Sequence, residues 1–365
     1  MRVKVDCERI QKNAEIVVQY CAIHGIDVAG VTKACCGNPQ VARAMVAGGV
    51  TLLADSRLHN VRRMRAAGID SPVMLLRLPA LSEIEEVVGL IQISLNSEVT
   101  TVRALGEAAQ ARGTRHQVVL MVDVGDRREG LMPDQVADAA RDILATPGIE
   151  LVGMGTNLRC IGGVVPTREN TQLLVDVAQD VERRLGVHFD ILSGGQTTSL
   201  TLIGEGDMPQ RVNQLRVGEG ILLGYDSATG WTLPGMDRDT FTAVGEVIEV
   251  NTKPSLPSGT IAMDAFGRRP HWEDLGPRRR AILSMGNQDL RTDGLCCRHP
   301  GVTVVGASSD HLIVDVTDAA PPVQLGQELS FRLDYAALAT VMVSPQVTQV
   351  IQPVRSQIFK DIKEG

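Results

Sequence analysis

The chain contains no Cys-x-x-Cys pair, no long lysine- and arginine-rich run, and no stretch of about 18 uninterrupted apolar residues. Its 7 cysteines include the adjacent pairs Cys35-Cys36 and Cys296-Cys297. That spacing suggests neither a zinc site nor a disulfide framework, and an odd count fits reduced thiols. With 36 Lys and Arg against 43 Asp and Glu the net charge is -7, so nucleic acid is not an expected partner. The short apolar runs exclude a membrane-spanning helix. The opening Met1-Arg-Val-Lys-Val-Asp6 is strand-like rather than a charged head before an apolar signal region, so a soluble cytoplasmic protein is expected. His271, His299 and His311 lack compact ligand spacing, and no metal site is expected. Internal repeats and low-complexity tracts are also missing.

What is present is ample core material: 365 residues, 44% of them hydrophobic, enough for one large domain and a smaller one. Short Val-, Ile- and Leu-rich runs alternate with amphipathic stretches at Val28 to Lys33, Val50 to Ala54, Val73 to Arg77, Ile91 to Leu95, Val118 to Asp123, Leu151 to Thr156, His188 to Ser193 and Val212 to Arg216. Met132-Pro133-Asp134 opens one intervening helix. Pro166-Thr167 opens another, with Leu174, Val177, Ala178, Val181 and Leu185 on one face and Gly186 at its end. Alternating strand and helix signals imply parallel βαβ units, and eight of them predict an α/β fold of the (β/α)8 TIM-barrel type. After Tyr225 the texture changes to β-branched runs separated by Gly, Pro and Asp: Thr242 to Val250, Ala281 to Met285, Val302 to Val305, His311 to Val316 and Glu328 to Leu333. The expected organisation is a barrel over 1–228 and a mainly antiparallel, β-rich domain over 229–365.

Barrels of this kind keep their chemistry at the carboxyl ends of the strands. Lys33 lies at the end of the first run, where apolar surroundings disfavour its ammonium form and favour a nucleophilic amine. A lysine that merely snorkels to water would look the same in isolation. The seventh run ends in Ser193-Gly-Gly-Gln-Thr-Thr198 and the eighth in Arg216-Val-Gly-Glu-Gly220-Ile221. Glycine- and hydroxyl-rich turns after these two strands form the usual barrel phosphate site, although either alone reads as an ordinary turn. An imine-forming lysine, a phosphate site and an arginine between them are what pyridoxal 5'-phosphate requires.

The motifs Ala29-Gly-Val-Thr-Lys33-Ala, Leu53-Ala-Asp-Ser-Arg57, Met74-Leu-Leu-Arg77, Ile93-Ser-Leu-Asn-Ser97, Leu120-Met-Val-Asp-Val-Gly-Asp-Arg-Arg-Glu-Gly130, Arg216-Val-Gly-Glu-Gly220, Met263-Asp-Ala-Phe-Gly267 and Gly306-Ala-Ser-Ser-Asp-His-Leu-Ile-Val-Asp315 span nearly the whole chain. Together they resemble the fold-type III pyridoxal phosphate enzymes, within them the alanine racemase-like group, and most closely its ornithine racemase branch. The resemblance implies an amino-acid racemase acting on a basic amino acid such as ornithine or lysine, with Lys33 as imine lysine and one catalytic base. It implies Arg216 at the pyridine nitrogen, Arg128 at the phenolic oxygen, Asn157 in the place of a ring-stacking histidine, and Ser193, Gly194, Gly220 and Ile221 about the phosphate. It also implies a head-to-tail homodimer in which Asp310 reaches the partner's site.

Four positions depart from alanine racemases. Gly37 stands for a phosphate-touching tyrosine, Met121 for a modified lysine, Asn157 for the histidine, and Phe266 for the tyrosine that serves as second base. The only tyrosines are Tyr20, Tyr225 and Tyr335. Asp264, beside Phe266, is the first candidate for the missing base, and Cys297, Cys35, Cys36 and His271 can also titrate. Asp264, Asp289 and Asp310 could each pair with a distal ammonium, or simply organise turns. Two other functions share this barrel. A decarboxylase would put a carboxylate, here Glu219, on the pyridine nitrogen; a non-catalytic pyridoxal phosphate carrier would lack a second domain.

Overall fold

The computed structural model describes residues 1–354 and divides into two compact units, one of Met1–Asp6 with Arg238–Pro353 and one built on Cys7–Asp237. The division anticipated from composition lies at 228/229, whereas the units part between Asp237 and Arg238 and the first six residues join the β-rich unit. The reason is β1 (Arg2–Asp6), whose Val3 and Val5 are fully buried while Lys4 between them is exposed.

In the larger unit the strands are β2 (Asp27–Val31), β3 (Leu52–Asp55), β4 (Val73–Leu75), β5 (Ile93–Asn96), β6 (His116–Met121), β7 (Ile149–Gly155), β8 (Ile191–Gln196) and β9 (Gln214–Val217). Each pairs in parallel with the next, and β9 closes on β2 through the register Asp27↔Gln214 to Gly30↔Val217. Every one of the eight apolar runs overlaps a strand. Strands buried on both faces need no alternation, which is why the runs are nearly continuous. Ala29, Val31, Ala54, Met74, Ile93, Leu95, Val119, Met121 and Val152 form one buried apolar cluster drawn from six of these strands. It fills the barrel and leaves the chemistry to the strand ends.

Local signals fix the helices. Thr167 and Asn170 form a reciprocal capping box at the start of Arg168–Leu185, and Gly186 ends that helix in the left-handed region at φ 68. Asn38 accepts N–H bonds from Gln40 and Val41 to start Pro39–Ala47, so the segment from β2 to this helix has a defined path through Lys33. Among the described residues no helix is long and apolar enough to cross a membrane.

The β-rich unit comprises β1 with β10 (Phe241–Pro254), β11 (Pro277–Leu283), β12 (Leu295–Cys297), β13 (Thr303–Ala307), β14 (Leu312–Asp315), β15 (Glu328–Leu333) and β16 (Thr348–Gln352). They run in the order β12-β15-β10-β11-β14-β13, antiparallel throughout, with β1 antiparallel to β10 and parallel to β16. β10 pairs with β15 over Ala243 to Glu246 and with β11 from Val247 onward, the second ladder carrying a bulge between Val247 and Glu249.

Candidate active site

Lys33 opens a single 3-10 turn, Lys33–Cys35, immediately after β2. The turn is anchored from below. Thr32 donates its hydroxyl to Asp55 Oδ2 at 2.6 Å, and Asp55 Oδ1 accepts from Asn60 Nδ2 and the Arg57 N–H, both at 2.9 Å. Burial raises the Asp55 carboxyl, against the lowering effect of these bonds. The lysine side chain itself has exposed surface at the open mouth, yet enough protein stands around it to disfavour charge. Its pKa is lowered, first by burial and then by the Arg128 guanidinium, with Arg216 adding to the effect and Cys160 opposing it. The result is an amine better supplied in its nucleophilic form than a free lysine.

Arg216 lies within β9 and is 4% exposed. Its Nη2 donates to the Thr156 carbonyl at 2.6 Å and its Nη1 to Ser193 Oγ, linking the ends of β7, β8 and β9. Burial pushes it down to about 10, so the guanidinium stays charged at neutral pH. The two late turns are also tied together: Thr197 Oγ1 accepts the Gly220 N–H at 3.2 Å. Gly220 and Ile221 belong to a short helix, Glu219–Leu223, that starts directly at the end of β9. Ser193 and Gly194 sit inside β8 rather than in the turn beyond it. A Cβ on Gly194 would fall 2.5 Å from Val212 Cγ1, so glycine there also serves strand packing. Glu219, the decarboxylase candidate, is engaged elsewhere, with Oε2 3.6 Å from Arg159 Nη1. The same Arg159 nitrogen lies 3.5 Å from Asp226 Oδ1.

Across the mouth, Arg128 follows β6 and pairs with Glu129, while its Nη1 lies 2.9 Å from Cys160 Sγ. Asn157, after β7, makes a long 3.5 Å bond from its Nδ2 to the Leu158 carbonyl. The barrel thus brings Lys33, Arg128, Asn157, Ser193, Arg216, Gly220 and Ile221 to one end.

Asp264 and Asp310 belong to the other unit and both are exposed. Asp264 Oδ1 accepts from the N–H groups of Phe266 and Arg268 at 2.9 and 2.8 Å, the pattern of a turn organiser. Asp310 meets His311 Nδ1 at 2.8 Å, which holds its carboxyl below the usual range. Asp289 accepts the Gly286 N–H, another turn. Of the cysteines considered from sequence, Cys35 is fully buried and gives its thiol hydrogen to the Thr32 carbonyl at 3.1 Å; burial pushes its pKa well up. Cys36 and Cys297 are half-buried and raised for the same reason. At Gly37, φ is +56 and a Cβ would lie 2.7 Å from Asn60 Cβ and its carbonyl oxygen, so a tyrosine has no room there. Met121 is part of the apolar barrel interior. Asp55, Thr156 and Cys160 were not singled out from sequence, and only position beside strand ends would have flagged them.

Residues 5–226 match the family described as alanine racemase, N-terminal domain. The chain is 38% identical to a lysine racemase of Thermotoga maritima over 352 residues, covering 96% of this chain and 98% of that one. It is also 38% identical to an ornithine racemase of Acetoanaerobium sticklandii over 338 residues, covering 92% and 95%. The chain belongs to the alanine racemase family. It is a pyridoxal phosphate-dependent amino-acid racemase, as the resemblance implied, a reading favoured over the decarboxylase and the carrier. Among solved structures, an alanine racemase from Streptomyces lavendulae superposes with TM-score 0.72 at 17% identity, covering 96% of each chain. A D-threonine aldolase from Filomicrobium marinum gives the same TM-score at 16% identity, covering 93% of this chain and 88% of its own. Such distant likenesses speak for the fold alone.

The residues present fit the cofactor. An amine with a lowered pKa shares the strand ends with a buried arginine that is charged at neutral pH and with two linked glycine and hydroxyl turns. The buried Thr156 Oγ1 has no hydrogen-bond partner among the described residues, a spare polar group at the same strand end.

Proposed function

We propose that this racemase interconverts the enantiomers of a basic amino acid of the ornithine and lysine class. Its two full-length relatives at 38% identity are both named for such substrates. In the proposed site Lys33 bonds the cofactor aldehyde and moves a proton on one face of the substrate. Arg216 faces the pyridine nitrogen, Arg128 the phenolic oxygen and Asn157 the ring. Ser193, Gly194, Gly220 and Ile221 hold the phosphate. Bound pyridoxal phosphate supplies an electron sink for the pair left on the α-carbon. Because a guanidinium does not give up its proton readily, Arg216 would leave the nitrogen of a bound pyridine ring unprotonated, which would suit reversible proton exchange. The Ser193 and Thr156 bonds hold it in that position.

The reading extends to a cytoplasmic, head-to-tail homodimer in which Asp310, and with it Asp264, serves the partner's barrel. The domain ranges 1–228 and 229–365 are kept for the cofactor barrel and the subunit-contacting domain. The observation that carries the whole is the lowered Lys33 amine at a barrel strand end opposite Arg128 and near Arg216.

Purified protein treated with borohydride should carry a stable pyridoxyl group on Lys33, detected by peptide mass, and Lys33→Ala should lose both the group and turnover. A chiral amino-acid panel should rank ornithine or lysine above alanine. The adduct on another lysine would overturn the site, and equal turnover of alanine and ornithine would overturn the substrate class.

A further inference from the structure

Racemisation needs a proton carrier on each face of the α-carbon, and Lys33 serves only the face on which it lies. On the racemase function and Lys33 role proposed above, we propose that Cys160 is the acid–base group for the other face. The thiol belongs to the same barrel mouth as Lys33 but comes from the far side. Around the closed ring Arg128 follows the strand four places from that of Lys33, and Cys160 follows the strand three places away by way of β9 and β8. A substrate carbon held between them is met from two sides. Arg128 Nη1 lies 2.9 Å from the Cys160 sulfur, and Cys160 is among the groups whose charge acts on the Lys33 amine.

The loop that carries the thiol is built to hold it. Arg159 adopts a left-handed φ of 51, and its N–H closes the loop on the Val164 carbonyl at 2.8 Å. Asp126, 2% exposed, accepts the Cys160 N–H at 3.1 Å and that of Val164 at 3.4 Å through Oδ1. Its Oδ2 is buried with no hydrogen-bond partner among the described residues, as is the hydroxyl of Thr156 at the end of β7. Cys160 itself is exposed. Two of the other titratable candidates are engaged elsewhere, and the tyrosine position is lost. Cys35 is buried and bonded to Thr32, Asp264 caps a turn, and the family's tyrosine position is Phe266.

The step balances without an added reagent. Sγ as thiolate takes the α-hydrogen as a proton; the C–H bond breaks, an S–H bond forms, and the electron pair stays with the substrate carbon. Lys33 Nζ gives a proton to the opposite face, forming the new C–H bond. The chain is left with a thiol and a neutral amine. Solvent at the exposed thiol takes one proton away while another returns to the lysine. In the reverse direction Lys33 takes the proton and the thiol delivers it. A thiol, which ordinarily titrates near about 8.5, suits such exchange better than an exposed carboxylate near about 4.

The test uses the holoenzyme and its Cys160→Ser and Cys160→Ala variants, with each ornithine enantiomer in deuterium oxide. Serine keeps a partner for Arg128 but is a far weaker acid and base. The expected result is a borohydride adduct on Lys33 in all three proteins, racemisation down about 100-fold or more in both variants, and α-hydrogen exchange lost from one enantiomer and retained from the other. Exchange from both enantiomers at the wild-type rate in Cys160→Ser would overturn the proposal, since the thiol would then only be holding Arg128. Equal loss from both enantiomers with the adduct intact would also overturn it. Absence of the Lys33 adduct in the wild type would instead remove the function on which it rests.

Discussion

At the scale of single residues, two charged groups three positions apart have opposite fates. Arg216 is buried with its guanidinium spent on Ser193 and the Thr156 carbonyl, whereas Glu219 is drawn toward Arg159, and burial raises its pKa. Arg216→Gln should therefore lower racemisation about 100-fold, as loss of a preorganised charge usually does, with folding checked by circular dichroism. Glu219→Gln should racemise near the wild-type rate and release no carbon dioxide. The reverse pattern would transfer the nitrogen contact to Glu219. The placement of Lys33 and Arg216 at barrel strand ends was legible from the apolar runs that they close, while the roles proposed for them came from the resemblance. Cys160 was not, because its proposed role rests on a contact with Arg128, 32 residues earlier, made between the loops that follow two different strands. The replacement at Gly37 was visible as a departure, but its reason, the Asn60 backbone packed against that turn, is purely spatial.

Whole elements carry their own titration. His116 opens β6, is 1% exposed, and shares a 2.7 Å bond with Ser94 of β5. Burial pushes it down to about 4. Since an unfolded histidine titrates near about 6.5, the unfolded chain binds more protons than the folded one between the two values. The stabilising difference is complete above the unfolded pKa and is lost as pH falls through the folded one. The full loss is roughly 2–4 kcal/mol. Urea midpoints measured from pH 7.5 down to pH 4 should fall, and His116→Asn should flatten that part of the profile; an unchanged slope would mean the imidazole is not held neutral. Elements also show where sequence reading succeeds. All eight barrel strands were visible as apolar runs, and so were the helix start after Pro166-Thr167 and its end at Gly186. β12 and β16 were missed. A three-residue strand has no period to detect, and β16 alternates half-buried with exposed residues, so little apolar patterning marks it. The pairing of β1 with segments some 240 and 350 positions along the chain cannot be read from local sequence at all.

For the whole molecule the proposed homodimer and the proposed bases make separable demands. Lys33 and Cys160 belong to one barrel unit, while Asp310 belongs to the β-rich unit and is proposed to serve a partner's site. Two differently tagged inactive variants, co-expressed and purified through both tags, give mixed dimers. If Asp310 acts across subunits, a Lys33→Ala chain paired with an Asp310→Asn chain has one site with both lesions and one with neither. Purified mixed dimers then recover roughly half the wild-type activity per dimer, and an unselected equal mixture roughly a quarter, because about half of its dimers are mixed. A Lys33→Ala chain paired with a Cys160→Ala chain should recover nothing, since each barrel keeps one lesion. Activity in the second pairing would mean that the sulfur reaches across subunits. Full activity of Asp310→Asn by itself would take Asp310 out of the site, and a single monomeric species in sedimentation at micromolar concentration would remove the dimer.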